Sequence, residues 1–228
     1  MNRDYIALGD CLDLMKDIQD EGVDLVVTDC PYHVVSGGCT TKIHSCGGVL
    51  SKENAFNGKL FEENNISFSE WLPDVFRVLK QDSHCYIMCN GRNLKELQIE
   101  AEKVGFVFQN ILVWDKGNLT PNRYYMGACE FILMLRKGRA KTINNRGTSN
   151  ILRIKNAVGK KMHPTEKPVD LMRVLIENST QENEIVLDPF MGSGSTCIAA
   201  INTGRHYIGF EIDEKYFQIA KNRIDTLN

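Results

Sequence analysis

The 228-residue chain is 43% hydrophobic and 25% charged, enough to bury one α/β core, short for two, and too apolar for a disordered polymer. Its longest apolar runs, such as residues 24–28 and 132–135, are far too short to cross a bilayer. The net charge of -2 conceals a segregation. Lys116 to Lys161 holds eleven basic residues against the single acid Glu130, leaving sixteen basic and twenty-eight acidic residues elsewhere.

In chain order, Tyr5–Leu8 reads as a strand, and a helix is expected from Asp10 to about Ile18. Val23–Thr28 is a second strand that runs into Asp29-Cys-Pro-Tyr32. Residues 33–66 are rich in Gly, Ser and Asn and are expected to form a long mobile loop. A helix follows over Ser69–Leu79, with Ser69 the expected N-cap. Then come a strand at His84–Cys89, a helix at Asn93–Lys103, and strands at Phe106–Trp114 and Cys129–Leu135. The basic segment 136–161 carries no expected element. Beyond it lie a helix from Pro168, a strand at Ile185–Leu187, a helix at Ser195–Asn202, a strand at Tyr207–Phe210 and a last helix from Asp213. Strands alternating with amphipathic helices argue a mostly parallel sheet with helices on its faces, in one domain spanning 1–228.

Two strand ends carry chemistry. Ile185–Asp188 enters Pro-Phe-Met-Gly-Ser-Gly194, a turn that opens a helix. Glycines at 192 and 194 let a ligand approach the backbone, and the helix start offers unpaired N–H groups. The turn lacks the Lys-Ser/Thr ending of a triphosphate-cradling loop. About twenty residues later a strand ends in Glu211, placed to bind ribose hydroxyls of an adenosine-containing cofactor. The second strand end is Asp29, with Pro31 and Tyr32 behind it; the alternative is a capping Asp and a packed Tyr.

Asp29-Cys-Pro-Tyr32 resembles the Asp-Pro-Pro-Tyr motif of exocyclic-amino DNA methyltransferases. Asp188-Pro-Phe-Met-Gly-Ser-Gly194 is similar to their Phe-x-Gly-x-Gly motif for S-adenosylmethionine. Gly9-Asp10-Cys11 and His163-Pro-Thr-Glu-Lys-Pro168 resemble further motifs of the permuted β group, in which the catalytic motif precedes the cofactor motif. Cys30 stands where the family has Pro, and the stretch between the two halves is short.

The resemblance implies a Rossmann-like methyltransferase fold with a mixed seven-stranded sheet. It implies S-adenosylmethionine as cofactor, and transfer of a methyl group to adenine N6 of a flipped-out base in DNA. Asp29 and the Cys30 carbonyl would accept the amine hydrogens, Pro31 would fix the chain and Tyr32 would stack on the base. Glu211 would hold the ribose, and Asp10 with the Cys11 backbone the adenine. Phe190, Gly192 and Gly194 would line the methionine part, with Thr165 and Lys167 near its carboxylate, and Asp29 and Asp188 are further expected cofactor contacts. A helix cap is the alternative for Asp10, and His163 is assigned to the turn. Cytosine-N4 transfer, an RNA adenine substrate and an inactive nucleic-acid-binding module stay open as alternatives.

The charge segregation suggests a polyanion-facing side, with Lys137, Arg139, Lys141, Arg146, Arg153 and Lys155 of the short basic segment as the expected DNA contacts. A segment that short favours a short site or help from a second copy of the chain as a homodimer, and a companion restriction nuclease is a further partner in view. In the 33–66 loop, His33, Cys39, His44 and Cys46 are metal-capable, but their spacing is not a usual zinc pattern, so no metal is expected. Cys85 and Cys89 belong in the core. The opening Met1–Ile6 has no apolar leader core, and the eight cysteines lack a small-scaffold spacing, so reduced thiols, no membrane association and a cytoplasmic location are the expectation.

Overall fold

A computed structural model describes residues 3–31, 66–120, 125–155 and 166–227. The expected 33–66 loop with its His and Cys residues lies outside them except for Ile66, as do Tyr32, His163 and Thr165. In order the elements are β1 (Tyr5–Leu8), α1 (Cys11–Leu14), β2 (Val23–Asp29), α2 (Phe68–Val78), β3 (Leu79–Cys89), α3 (Leu94–Val104), β4 (Val107–Thr120) and β5 (Gly127–Lys137). There follow β6 (Ile151–Arg153), α4 (Val169–Ser179), β7 (Ile185–Asp188), α5 (Ser195–Asn202), β8 (His206–Glu211) and α6 (Glu214–Asp225).

The described strands form one eight-stranded sheet ordered β1-β8-β7-β2-β3-β5-β4-β6. β1, β8, β7, β2 and β3 run parallel. β5 runs antiparallel to both β3 and β4, which makes the sheet mixed. The eighth strand is β6, three residues inside the basic segment that add parallel to β4 at Val113–Asp115. So short a strand leaves no periodicity to read.

Period-two alternation divides each strand between two apolar layers. Val26, Ile87, Leu133 and Phe210 face Trp71, Leu72 and Val75 of α2 and Leu97 and Ala101 of α3. Leu25, Val27, Met88 and Ile132 face α4 (Leu171, Leu175, Ile176), α5 (Ile198, Ala199) and α6 (Ile224). Helices on both faces account for strand cores apolar on both sides.

The helix ends follow local chemistry. α2 is capped two residues earlier than expected: Ser67, not Ser69, is the N-cap, because Ser67 and Glu70 form a reciprocal capping box. α3 ends at Gly105, whose φ of +116° and 3.0 Å clearance from the Phe76 ring leave no room for a side chain. The helix expected to reach Ile18 stops at Leu14 and continues as a 3-10 turn over Met15–Asp17. Among the described residues no helix is long and apolar enough to cross a membrane.

Candidate functional site

The parallel strands deliver their C-terminal ends to one edge of the sheet, and the candidate residues gather there. β2 contributes Asp29, β7 Asp188 and β8 Glu211. Gly9 at the end of β1 donates its N–H to the Glu211 carbonyl at 2.9 Å, so Asp10 stands beside the same edge.

Alternation decides which side chains meet. Leu25 and Val27 lie in the α4-side core, and Asp29 is the next residue of that series. On β5 the series runs Met134, Ile132, Glu130, and on β4 it runs Leu112, Trp114, Lys116. Asp29 pairs in register with Met88, Met88 with Ile132, and Glu130 with Trp114. Three strands thus replace an apolar residue by a charged one where each passes the end of the core. Lys167, in the segment entering α4, closes the group from above the same face.

The Lys167 ammonium ion-pairs with Oδ2 of Asp29 and lies 3.5 Å from Oε2 of Glu130, while Lys116 binds the other Glu130 oxygen at 3.2 Å. Lys167 is 7% exposed. Burial alone would discharge it, but Asp29 and Glu130 outweigh burial and hold its pKa at about 12. Burial pushes the Asp29 carboxyl above its ordinary value, against the pull of Lys167. For Glu130, burial is overcome by Lys167 and Lys116, and its carboxyl sits below the ordinary value. Asp29 Oδ1 is buried and has no hydrogen-bond partner among the described residues. A buried, unmet acceptor costs on the order of 1–3 kcal/mol, so this oxygen is open to a further donor.

Cys30 is buried, its thiol points at the Met88 carbonyl at 3.8 Å, and burial pushes the thiol far above its ordinary pKa. A thiolate nucleophile is therefore disfavoured at this position.

The glycine turn is braced from below and behind. Asp188 is buried, and its Oδ1 accepts from Thr28 Oγ1 at 2.7 Å and from the Phe190 N–H at 3.1 Å. Burial raises its pKa to about 6, against hydrogen bonds from Thr196 and Thr28. Asp188 thus ties β2 to the turn and braces it from below. Gly192 and Gly194 have φ of +53° and +82°, and a Cβ on Gly194 would stand 3.1 Å from Ala220. Gly192 donates its N–H to Glu211 Oε2 at 2.9 Å, and Asp213 donates to Oε1 at 2.8 Å. With the Ile212 N–H also drawing on the carboxylate, Glu211 keeps acceptor capacity for a hydroxyl donor. Phe190 turns its ring edge onto Trp71 at 5.2 Å. Arg223 of α6 ties the turn to the segment before α4, bonding the Ser193 carbonyl at 2.7 Å and Glu166 at 3.1 Å. Asp10 caps α1 through the Leu12 N–H at 2.8 Å, and Cys11 is buried behind it.

Five basic residues expected to meet cofactor or DNA have other neighbours in the fold. Lys167, assigned by resemblance to the cofactor's carboxylate, turns its ammonium onto Asp29 and Glu130. Lys137 is 5% exposed and donates to the Phe76 and Leu79 carbonyls at 2.9 and 2.7 Å, so it holds the end of α2 and presents no charge to solvent. Lys137 also pairs in register with Ser83, five residues down the ladder from the level of Asp29. That is about 17 Å toward the opposite edge of the sheet. Arg139 is there too, bound to Asp82 at 2.9 Å, and the Lys141 carbonyl meets His84 Nε2 at 3.0 Å. The antiparallel course of β5 is the reason: it carries the chain away from the site before the basic run begins. Arg146 is exposed in the turn beside Asn178, at the far end of α4. β6 climbs back, so Arg153, in register with Asp115, and Lys155 are exposed toward the Asp29 edge, four strands to the side of β2.

Glu130 and Lys116 were not singled out in the sequence, although an acid continuing the Ile132–Met134 face, alone among bases, was the available signal.

A family model for DNA methylases acting at N6 or N4 matches residues 23–222. The Type II methyltransferase M2.MboI of Moraxella bovis is 30% identical over 240 residues, covering 96% of this chain and 86% of that protein. The Type II methyltransferase M.HinfI of Haemophilus influenzae is also 30% identical, over 244 residues that cover 96% of this chain and 67% of that protein. Among solved structures, the M1.HpyAVI–SAM complex aligns with a TM-score of 0.71 at 28% identity, covering 96% of this chain and 98% of that one. A match over most of the chain, joined to a carboxylate and a glycine turn on one sheet edge, places this protein in the N6/N4 DNA methylase family, as an exocyclic-amino DNA methyltransferase.

Proposed function

We propose that the chain methylates adenine N6 in DNA, using S-adenosylmethionine, with Asp29 as the side chain that receives the target amine. The observation that carries this reading is the Asp29 carboxylate itself. One oxygen is held by Lys167, and the other is buried without a partner among the described residues.

An aromatic amine is a poor nucleophile because its lone pair is delocalised into the ring. Asp29 Oδ1 accepts one amine hydrogen, and the adjacent Cys30 carbonyl is placed in sequence to accept the other. Drawing on both hydrogens turns the lone pair out of the ring plane, and the ionised carboxylate stabilises positive charge developing on nitrogen. Lys167 fixes the orientation of the carboxylate, so alignment is established before the base arrives. The residues also fit the cofactor. Glu211 offers carboxylate lone pairs at the strand tip, and the Ser195 hydroxyl at the first turn of α5 is buried without a partner among the described residues. When bound, S-adenosylmethionine supplies a methyl group on a positively charged sulfur. Asp as the first residue of the catalytic motif favours adenine over cytosine.

Among the described residues of the basic segment, Arg153 and Lys155 are the best placed to meet a duplex lying over the Asp29 edge. Kinship with Type II methyltransferases supports a companion restriction nuclease, and the short basic segment supports a second copy of the chain at the DNA. The test is transfer of labelled methyl groups to unmethylated DNA by the protein and by Asp29→Ala. The variant should bind cofactor and transfer nothing; near-normal turnover would overturn the assignment of Asp29.

A further inference from the structure

The charges behind Asp29 form a line whose outer two members, Glu130 and Lys116, the transfer reaction as described leaves unused. Lys116 contacts Glu130 at 3.2 Å, Glu130 contacts Lys167 at 3.5 Å, and Lys167 contacts Asp29. The four groups alternate in sign and come from β4, β5, the segment before α4, and β2. Their side chains are 14%, 28%, 7% and 21% exposed, so little water screens them.

We infer that Glu130 and Lys116 are positioning residues for methyl transfer: acting through the shared Lys167, they set how firmly Asp29 is held and how readily it ionises. This rests on Asp29 being the acceptor of the target amine.

One ammonium serves two carboxylates. Glu130 draws Lys167 away from Asp29 and adds a like charge nearby, and both effects make Asp29 easier to protonate. Lys116 neutralises Glu130 from the far side and thereby returns Lys167 to Asp29. Among the other groups facing Asp29, the thiols are constant over the working range. Burial pushes the Cys30 and Cys89 thiols up, the latter to about 12, so both stay protonated. Asp188, with a pKa of about 6, titrates beneath Asp29 inside that range; it is common to all four proteins, so the shift is read as the difference between variants and parent. Glu166, next to Lys167 in the chain, is committed to Arg223.

The two residues therefore act on Asp29 with opposite signs. Because transfer needs ionised Asp29, the acid limb of the single-turnover rate reports its ionisation in the assembled complex. Glu130→Gln removes the competing charge and should move that limb about one pH unit downward. Lys116→Met leaves Glu130 unneutralised and should move it upward by about half a unit. The double variant should behave like Glu130→Gln, since Lys116 works only through Glu130. Cofactor affinity measured by calorimetry should be unchanged in all three.

The experiment is single-turnover methylation of unmethylated genomic DNA between pH 5 and 8, with the four proteins side by side. Limbs that stay put, or move in the same direction in both single variants, overturn the inference. Lys116→Met alone decides the sign if Glu130→Gln does not fold. Asp29→Ala in the same series separates the two readings. If it transfers methyl groups, the role of Asp29 fails; if it is inactive while the limbs do not move, only the charge line fails.

Discussion

Replacing Lys137 by Met should damage the fold and spare DNA binding, the reverse of what its place in a basic segment suggests. Its ammonium donates to the Phe76 and Leu79 carbonyls at the end of α2 and lies 4.8 Å from the Phe76 ring centroid. The Phe76 carbonyl belongs to the last turn of the helix and the Leu79 carbonyl to its C-cap, where a cation meets the negative end of the dipole. Methionine restores most of the aliphatic volume, so the loss isolates the polar head. Two carbonyls left without that donor cost about 1–3 kcal/mol each, and the cation–π contact adds about 0.5–2 kcal/mol. Taking the low end, because Glu21 at 3.5 Å lies at a wetter margin, the cost is about 3 kcal/mol. For a domain of this length that lowers Tm by about 6–12 °C. Calorimetric unfolding measures the first effect, and DNA binding across a salt series measures the second. A Tm within 2 °C of the parent, together with a flattened salt slope, would refute the buried role of Lys137.

Neutralising Arg153 and Lys155 together should flatten the slope of log affinity against log salt by about two units, at about 0.9 per phosphate contact; neutralising Arg139 and Lys141 should leave it alone. Cys30→Ala should keep substantial activity, because only its carbonyl is used; loss as complete as in Asp29→Ala, read by labelled methyl transfer, would reopen a thiol mechanism. Glu211→Ala should weaken S-adenosylmethionine binding about ten- to a hundred-fold, equivalent to about 1.5–3 kcal/mol, and unchanged calorimetric affinity would remove Glu211 from the site. Asp188, raised to about 6 by burial, stabilises the fold when protonated. Its contribution is complete below the unfolded carboxylate range near 4 and is lost as pH rises through 6. Urea stability of Asp188→Asn should lack that decline, a difference of about 3 kcal/mol between pH 4 and 7; identical pH profiles would contradict it.

The strands that end in the site were legible because their period-two alternation is strong and local. Val23–Asp29 and Ile185–Asp188 lie within a residue of where pattern alone puts them, and α5 coincides with Ser195–Asn202. What pattern could not supply was partnership at long range. Asp29 and Lys167 are 138 residues apart, and motif resemblance, which points Lys167 at a ligand, does not disclose the ion pair. Counting charge along the chain likewise ignored strand direction. Lys137 and Arg153 belong to one basic run, yet antiparallel β5 takes the first to the opposite sheet edge and parallel β6 brings the second back. The shift from Ser69 to Ser67 at the start of α2 came from overlooking Glu70, three residues after Ser67, which completes the capping box.

The central claim concerns which atom receives the methyl group and which carboxylate receives its hydrogen. Unmethylated DNA treated with the protein and S-adenosylmethionine, digested to nucleosides and resolved by mass spectrometry, tests both at once when Asp29→Ala is run alongside. The account predicts N6-methyladenine from the parent protein and no methylated nucleoside from the variant. N4-methylcytosine as the product, or N6-methyladenine formed equally by Asp29→Ala, would contradict it.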